Sequence, residues 1–240
     1  MNRYFCLNPS NLIFQFYEKY GKDPRDWFER RVSYTKSTAA NSMVGMILGI
    51  GDRHAHNILI DEITAELIHI DFGVTFEQGK ALRTPETVPF RLTPDILDGF
   101  GLLGIQGTFT KSCIETLSIL RENAEAILTI CEVFLHDPLH RWEVSKSKQR
   151  RIEARVPKDS GIVQSPTQIE KERSKPDSSS THEAQNLEAR RLLNRLRQKL
   201  QGLADDGETL SVAAQVKRAI QEATDESNLA QMYFGWAPFL

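Results

Sequence analysis

A pair of polar segments that flank two short apolar runs gives the strongest indication of the fold of this 240-residue chain. The first segment, GIGDRHAHN, covers residues 49–57, and the second, DFG, covers residues 71–73. Between them, residues 58–60 and 66–70 are β-type runs, with Asp61-Glu62 at the turn. This pattern predicts a β-hairpin, so the two polar segments should meet at its open end.

The rest of the pattern is mostly helical, so the fold class is predicted as mostly α with a small β-hairpin (α+β). Asp23-Pro24 is a helix start signal, because a capping aspartate precedes a proline at the first helical position. The helix that follows should run to about residue 48, where glycines end it. Residues 71–93 contain glycines and prolines and are predicted as a loop. Further helices are predicted over residues 11–20, 111–135, 183–200 and 209–223.

Composition narrows the class of protein. The chain is 40% hydrophobic and 26% charged, as in ordinary soluble globular proteins. No apolar run approaches the roughly 18 residues of a membrane span, and the N-terminus lacks a clean signal-peptide core, so neither insertion nor secretion is expected. The three cysteines are scattered without CxxC spacing, which favours a reducing intracellular compartment.

Charge is spread unevenly along the chain. The net charge is -2, but residues 141–200 carry 15 Lys+Arg against 8 Asp+Glu. A solvated linker and helix face is the simpler interpretation of this excess. A nuclear-import or nucleic-acid role for KSKQRR, residues 146–151, is the alternative.

Two kinds of site fit the polar segments poorly. His54 and His56 lie two positions apart, which does not suit one face of a helix, and neither a nearby cysteine pair nor HExxH is present. A zinc site built on these histidines is therefore disfavoured. A Ser-His-Asp triad is disfavoured as well, because the sequence contains no GxSxG elbow.

Phosphoryl transfer fits the same residues better. It requires a carboxylate for the attacking hydroxyl and oxygen ligands for the Mg²⁺ that bridges the nucleotide phosphates. Protein kinases place these groups as H-R-D-x-x-x-x-N, a hairpin and D-F-G. Here the order of the first three is reversed, Asp52-Arg53-His54, but Asn57 still follows Asp52 by five positions. Asn57 and Asp71 should converge at the open end of the hairpin.

These motifs resemble a known family. GxGDRHxxNILI followed by HIDFG resembles the catalytic and metal-binding loops of the phosphatidylinositol-3-kinase-related protein kinases. GVTFEQGKALRTPETVPFRLT resembles their activation loop, and the closing LSVAAQVKRAIQEATDESNLAQMYFGWAPFL resembles their small FATC domain. The resemblance covers residues 3 to about 142 and then about 183 to 240. PSNLIFQFYEKYGK departs from the pattern, and Phe72 stands where relatives often have leucine.

The resemblance implies a role for each residue of the site. Asp52 would be the catalytic base, and His54 would lie near the transferring phosphoryl group and stabilise its charge. Asn57 and Asp71 would hold Mg²⁺, or Mn²⁺ in its place, and through the metal ATP. Arg53 is expected to hydrogen-bond loop carbonyls. The activation-loop residues of interest are Phe72, Gly73, Lys80, Pro89, Phe90 and Arg91.

The implied domain organisation follows the same family. Residues 1–143 would be the C-terminal lobe of the kinase, with the catalytic loop at 49–61 and the activation loop at 71–95. Residues 144–182 would be a disordered regulatory linker, 183–207 a linker helix and 208–240 the FATC domain. The residues before Asp52 contain no glycine-rich phosphate loop with a following strand lysine, so the chain alone is expected to bind ATP poorly and to be inactive.

Substrate and partners are also implied by the resemblance. The expected substrates are proteins with Ser or Thr followed by Gln, and Thr167-Gln168 is a candidate phosphorylation site in the linker. The expected partners are the N-terminal lobe and upstream helical repeats of the same kinase, DNA-damage sensor complexes and a second copy in a full-length homodimer. The expected location is the nucleus, without direct membrane contact.

Two other functions stay open at this point. Lipid kinases of the wider superfamily resemble the same two loops, but they need clustered cations in the activation loop, and none is present. The chain could instead be a non-catalytic helical interaction module. The aromatic C-terminus, YFGWAPFL, is expected to pack on the kinase body and brace the activation loop, with partner docking and membrane contact as the alternatives.

Overall fold

The computed structural model describes residues 4–6, 12–135, 178–204 and 207–239, with backbone only for 4–6 and 178–188. Most of the predicted linker, residues 144–182, lies outside the described residues, and Thr167 does too. The chain forms two compact units. One unit comprises residues 1–127 and 196–240 and contains the predicted site, and the other comprises residues 128–195.

Helices dominate the described residues, as predicted. In chain order they are α1 (Leu12–Tyr20), α2 (Pro24–Leu48), α3 (Pro94–Asp98), α4 (Thr108–Glu122), α5 (Ala124–Leu135), α6 (Ser178–Gln201), α7 (Val212–Thr224) and α8 (Glu226–Leu229). None of the helices in the described ranges is long and apolar enough to cross a membrane.

The sheet is small and antiparallel, with strand order β1-β2-β3. β2 (Ile58–Asp61) and β3 (Leu67–His69) form the predicted hairpin, in which Ile58 pairs with His69. The turn residue Asp61 is buried, and its carboxylate accepts hydrogen bonds from the backbone N–H groups of the next turn residues. β1 (Tyr4–Cys6) adds a third strand, which the sequence pattern did not predict.

Helix α2 begins and ends as the sequence predicted. The Asp23 carboxylate accepts a hydrogen bond from Arg25 N–H at 2.9 Å, which caps the first turn. Gly49 ends the helix in the left-handed conformation with φ 62°, where an L side chain would be strained. A side chain there would also collide with the Glu77 backbone. The end of α2 is therefore fixed directly in front of Asp52.

The single helix predicted over residues 111–135 is wrong. The chain forms two helices instead, because Asn123 leaves the helical conformation with φ -103° and ψ 23°. Its side-chain amide donates to the Ile119 carbonyl at 2.8 Å, a bond that competes with the helical ladder. An apolar stripe with helical spacing cannot reveal such a break.

Helix α2 also carries the core that supports the hairpin. Tyr34 is fully buried, its ring meets Phe16 edge-on at 5.1 Å, and its hydroxyl donates to the Ile96 carbonyl at 3.2 Å. Further along α2, Asn41 and Ser37 bond the backbone of Leu67 in β3 at 2.9 Å each. These two bonds fix β3 against the longest helix of the site-bearing unit, so the open end of the hairpin has a rigid base.

Candidate functional site

The chain reverses sharply after α2 and presents Asp52. The Ile50 N–H donates to the Gly45 carbonyl, and the Gly51 N–H donates to Val74, both at 2.9 Å. Asp52 then takes φ 56°, which is uncommon for a residue with a side chain. Such a conformation costs of order 1 kcal/mol, so the surrounding contacts must hold it.

Asp52 is held by side chains on both of its peptide groups. Its N–H donates to Glu86 Oε1 at 2.6 Å, and its carbonyl accepts from Asn57 Nδ2 at 2.8 Å. The carboxylate itself stays 45% exposed. The backbone of Asp52 is thus fixed while its carboxylate can meet a ligand from solvent.

Arg53 ties the loop after α2 to the exit of the hairpin. Its buried guanidinium donates to the carbonyls of Gly51 at 2.8 Å and Ile70 at 2.7 Å, and also to the Asp71 carbonyl. Burial lowers the pKa of this guanidinium. The prediction that Arg53 binds loop carbonyls is confirmed.

Asn57 and Asp71 lie at the open end of the hairpin. The Ile70 N–H donates to the Asn57 carbonyl at 3.0 Å, one step beyond the pairing of Ile58 with His69. Asn57 is buried, and its amide nitrogen faces the Asp52 carbonyl. Asp71 is exposed, has φ 57°, and accepts the Gly73 N–H on Oδ1 at 3.1 Å. Asn57 and Asp71 therefore flank the hairpin on either side of its open end, as the motif spacing predicted.

The available donors suit a nucleotide-bound magnesium ion. Asn57 offers an amide oxygen and Asp71 a carboxylate with one oxygen outside its turn. Across the described ranges, no group of three or more His, Cys, Asp or Glu side chains could hold a metal. Mg²⁺ is usually held by one or two carboxylates with waters and substrate phosphates, so a sparse oxygen set fits it when phosphates complete the coordination.

The three histidines in and beside the hairpin, His54, His56 and His69, occupy different environments. His54 Nε2 lies 4.0 Å from Asp52 Oδ2, and His54 Nδ1 accepts the His56 N–H at 3.2 Å. His56 is exposed. His69 lies on β3, where burial and the nearby Arg53 cation lower its pKa to about 4. Of the three, the structure brings His54 to Asp52.

The activation-loop residues of interest lie in three different environments. Phe72 and Gly73 stay with the site, and the exposed Phe72 ring lies 5.7 Å from the Arg53 guanidinium. Lys80 is exposed and pairs with Glu77 at 3.4 Å. Pro89 is half-buried, and the buried pair Phe90 and Arg91 follows it.

Arg91 joins the C-terminal segment. Its buried guanidinium donates to the Trp236 carbonyl, lies 4.9 Å from the centre of the Trp236 ring, and pairs with Asp95 at 3.3 Å. Nearby, the Thr87 hydroxyl donates to the Asn228 carbonyl at 2.7 Å. The C-terminal aromatic segment therefore packs partly against the activation loop.

Sequence reasoning missed two residues that support this arrangement. Glu86 binds the Asp52 N–H, and Lys199 of α6 donates to the Met46 carbonyl at 2.9 Å and pairs with Glu77 at 2.6 Å. The PETVPF run around Glu86 was an available signal, although the run does not show which backbone N–H donates to its carboxylate. No local pattern around Lys199 could have shown its partners, which lie more than a hundred residues away.

Comparisons with known proteins agree with this geometry. Residues 2–144 match the phosphatidylinositol 3- and 4-kinase family, and residues 209–240 match the FATC domain. The chain is 47% identical to the serine-protein kinase ATM of Sus scrofa, covering 98% of this chain and 7% of that protein. It is 45% identical to the serine/threonine-protein kinase ATM of Arabidopsis thaliana, over 98% of this chain and 6% of the relative.

A solved structure gives the same result. The FAT and kinase domain of CtTel1 superposes with a TM-score of 0.73 at 39% identity, covering 95% of this chain and 14% of that one. The chain spans about 7% of the length of the curated relatives it matches. It belongs to the phosphatidylinositol 3- and 4-kinase family, and the relatives that it matches include the ATM and Tel1 serine/threonine-protein kinases.

Proposed function

We propose that this chain is the C-terminal catalytic part of an ATM-like protein kinase that transfers the γ-phosphoryl group of ATP to Ser or Thr. The observation that carries the proposal is the hairpin, which holds Asn57 and Asp71 at its open end and the exposed carboxylate of Asp52 beside them. The names of the relatives, all serine- or serine/threonine-protein kinases, support the same reaction.

Each residue would make a distinct contribution. Asp52 would accept the proton of the substrate hydroxyl, because its carboxylate is exposed while its backbone is fixed. Asn57 and Asp71 would hold Mg²⁺ through one amide and one carboxylate oxygen. Mg·ATP supplies the transferable phosphoryl group and neutralises part of its charge when bound. His54, 4.0 Å from Asp52, would stabilise charge on the transferring group.

A protein substrate is favoured over a phosphoinositide by the state of the activation-loop cations. Recognition of inositol phosphates needs clustered Lys and Arg side chains. Arg91 is buried against the C-terminal segment, and Lys80 pairs with Glu77, which leaves the exposed Arg83 as a single cation and not part of a cluster on the loop surface. We infer that the substrate presents Ser or Thr followed by Gln, as the resemblance implies.

The chain alone should be inactive. The kinase reaction needs a glycine-rich loop and a lysine on the nucleotide phosphates, and neither is part of the described residues around Asp52. Positioning of the reactants can supply roughly 7–11 kcal/mol of a barrier, so its loss should reduce turnover to background. An N-terminal lobe and upstream helical repeats of a longer kinase would complete the site.

The longer kinase would work in DNA-damage signalling in the nucleus, together with sensor complexes. One solved Tel1 structure is a dimer with C2 symmetry, which supports a homodimer for the full-length protein. The size of the native protein tests this directly. An antibody to residues 229–240 should detect a band of several hundred kilodaltons on a denaturing gel, whereas a band near the 27.3 kDa of the chain would favour a non-catalytic module.

The activity itself is tested with the full-length kinase. We expect it to phosphorylate a Ser-Gln peptide in preference to the same peptide with Ala in place of Gln. Asp71→Ala should abolish this activity, and Glu66→Ala, which removes an exposed carboxylate from the same hairpin, should leave it unchanged. Phosphorylation of phosphatidylinositol vesicles but not of the peptide would instead identify a lipid kinase.

A further inference from the structure

The carboxylate of Glu86 occupies a slot between two glycines. A Cβ atom on Gly51 would lie 2.4 Å from Glu86 Oε2, and one on Gly79 would lie 2.0 Å from the same atom. The Glu86 N–H also donates to the Gly79 carbonyl at 3.1 Å. Any side chain at either glycine would displace the carboxylate, so its position is closely defined.

Glu86 reaches from the activation loop to the backbone of the catalytic aspartate. Its Oε1 accepts the Asp52 N–H at 2.6 Å across 34 residues of sequence. Asp52 has the left-handed conformation with φ 56°, and Asn57 holds its carbonyl. Without the Glu86 carboxylate, the N–H of Asp52 would lose its hydrogen-bond acceptor, although Asp52 has a strained backbone conformation.

Burial makes the surroundings of Glu86 unfavourable for a carboxylate. Burial and the neighbouring Asp52 charge raise the pKa of Glu86, while the hydrogen bond from the Asp52 N–H and, to a smaller extent, the Arg53 cation lower it. Among the described residues no lysine or arginine forms an ion pair with Glu86. A carboxylate retained in such a place is best explained by the hydrogen bond that it accepts.

The residues that follow Glu86 bind the C-terminal segment. Thr87 donates to the Asn228 carbonyl, and Val88 packs against the buried cluster of Leu229, Met232 and Trp236. Adjacent residues, Glu86 and Thr87, therefore make the contact with Asp52 and the contact with the C-terminal segment. Glu86 lies at the connection between the two.

We propose that Glu86 is a positioning residue, which fixes the catalytic loop by accepting the Asp52 N–H and joins it to the activation loop that the C-terminal segment braces. The inference rests on the proposed kinase function of Asp52. Glu86 does not contact substrate or metal in this proposal. Its role is to keep the Asp52 backbone in its left-handed conformation, so that the carboxylate is presented correctly.

Three variants of the full-length kinase separate this role from others. Glu86→Ala removes the acceptor, Glu86→Gln keeps an acceptor oxygen without the charge, and Glu86→Asp keeps the charge but withdraws the acceptor by one methylene. We expect Ala and Asp to lower kcat about tenfold or more with a smaller change in the KM for ATP, because misplacement by about 1 Å is costly. Gln should restore most of kcat.

Several outcomes would overturn the proposal. They are wild-type kcat in Glu86→Ala or Glu86→Asp, loss in Glu86→Gln equal to that in Ala, or equal changes in KM and kcat. If Glu86→Ala does not fold, as judged by its melting curve, the Asp and Gln pair decides the matter. Asp52→Ala is measured alongside, because full activity in that variant would refute the proposed function itself, whereas an inactive Asp52→Ala with an unaffected Glu86→Ala would refute this inference alone.

Discussion

Two regions of the molecule are built from contacts of very different range. The motif hairpin, residues 49–73, is held by side-chain bonds that span 2 to 34 residues, such as Asn57 on Asp52, Arg53 on Asp71 and Glu86 on Asp52. The tail junction, residues 87–95 with 225–237, is held by bonds across 141 to 146 residues, such as those of Thr87 and Arg91.

The two regions also differ in how completely their buried side-chain donors are hydrogen-bonded. In the motif hairpin, Arg53 places its donors on three backbone carbonyls. In the tail junction, the buried Arg91 Nε and Trp236 Nε1 have no hydrogen-bond partner in the described structure. An unpaired buried donor costs about 1–3 kcal/mol, so packing must offset that cost at the junction. Substitutions in the hairpin should therefore affect kcat most, and substitutions in the tail junction should affect the free energy of unfolding most.

The largest expected effect comes from the hairpin. Asn57→Ala removes both the proposed metal ligand and the hydrogen bond to the Asp52 carbonyl, so kcat of the full-length kinase should fall at least about 1,000-fold. Asn123→Ala, at the break between α4 and α5, is the matched control and should keep kcat within about twofold. A loss of less than tenfold in Asn57→Ala would contradict the proposed role.

The next effect concerns the tail junction. Trp236→Ala empties a buried position beside Leu229 and Met232 and removes the ring under Arg91, so the unfolding free energy of the chain should fall by about 3 kcal/mol. Phe234→Ala, at a side chain that is 92% exposed, should cost less than about 0.5 kcal/mol. Denaturant unfolding of both variants measures the difference, and equal midpoints would mean that the C-terminal segment does not brace the body.

A smaller effect is expected where α6 meets the end of α2. Lys199→Met removes the ion pair with Glu77 and the bond to the Met46 carbonyl, both partly buried, at a cost of about 2 kcal/mol. Lys111→Met breaks an exposed pair with Glu115 and should change the unfolding free energy by at most about 0.5 kcal/mol. If the two variants melt alike, the Lys199 contacts contribute nothing beyond a surface pair.

The smallest effect is a pH dependence of stability. The pKa of His69 falls from 6.5 to about 4 on folding, so the unfolded chain binds more protons between these values. This contribution to stability is therefore present above pH 6.5 and is lost as the pH falls toward 4. The loss from pH 7 to pH 5 should be roughly 1.8 kcal/mol.

Two variants isolate this contribution. His69→Asn should remove it from urea unfolding curves recorded at pH 7 and pH 5, since asparagine does not titrate. His56→Asn, at an exposed position, should keep the wild-type pH dependence. An unchanged difference between the two pH values in His69→Asn would show that another group causes it.

Much of the fold and of the site could be predicted from sequence because their signals are local. The capping Asp23, the terminating Gly49 and the two apolar runs of the hairpin each act within a few residues of themselves. The motif spacing likewise predicted that Asn57 and Asp71 lie at the open end of the hairpin. The break at Asn123 and the third strand, β1, were missed. One depends on a single side-chain bond, and the other on pairing with a strand more than fifty residues away.

Local sequence patterns specify which side chains are available for chemistry and the order in which a hairpin presents them, because helix caps, turns and strand alternation act over short distances. Folding of the whole chain is needed for Glu86 to accept the Asp52 N–H, for Lys199 to reach Met46 and Glu77, and for Arg91 to bind the C-terminal segment rather than a substrate. The residues next to a carboxylate or a guanidinium in sequence do not indicate its binding partner. Partners that are distant in sequence meet only when the packed core brings their segments together.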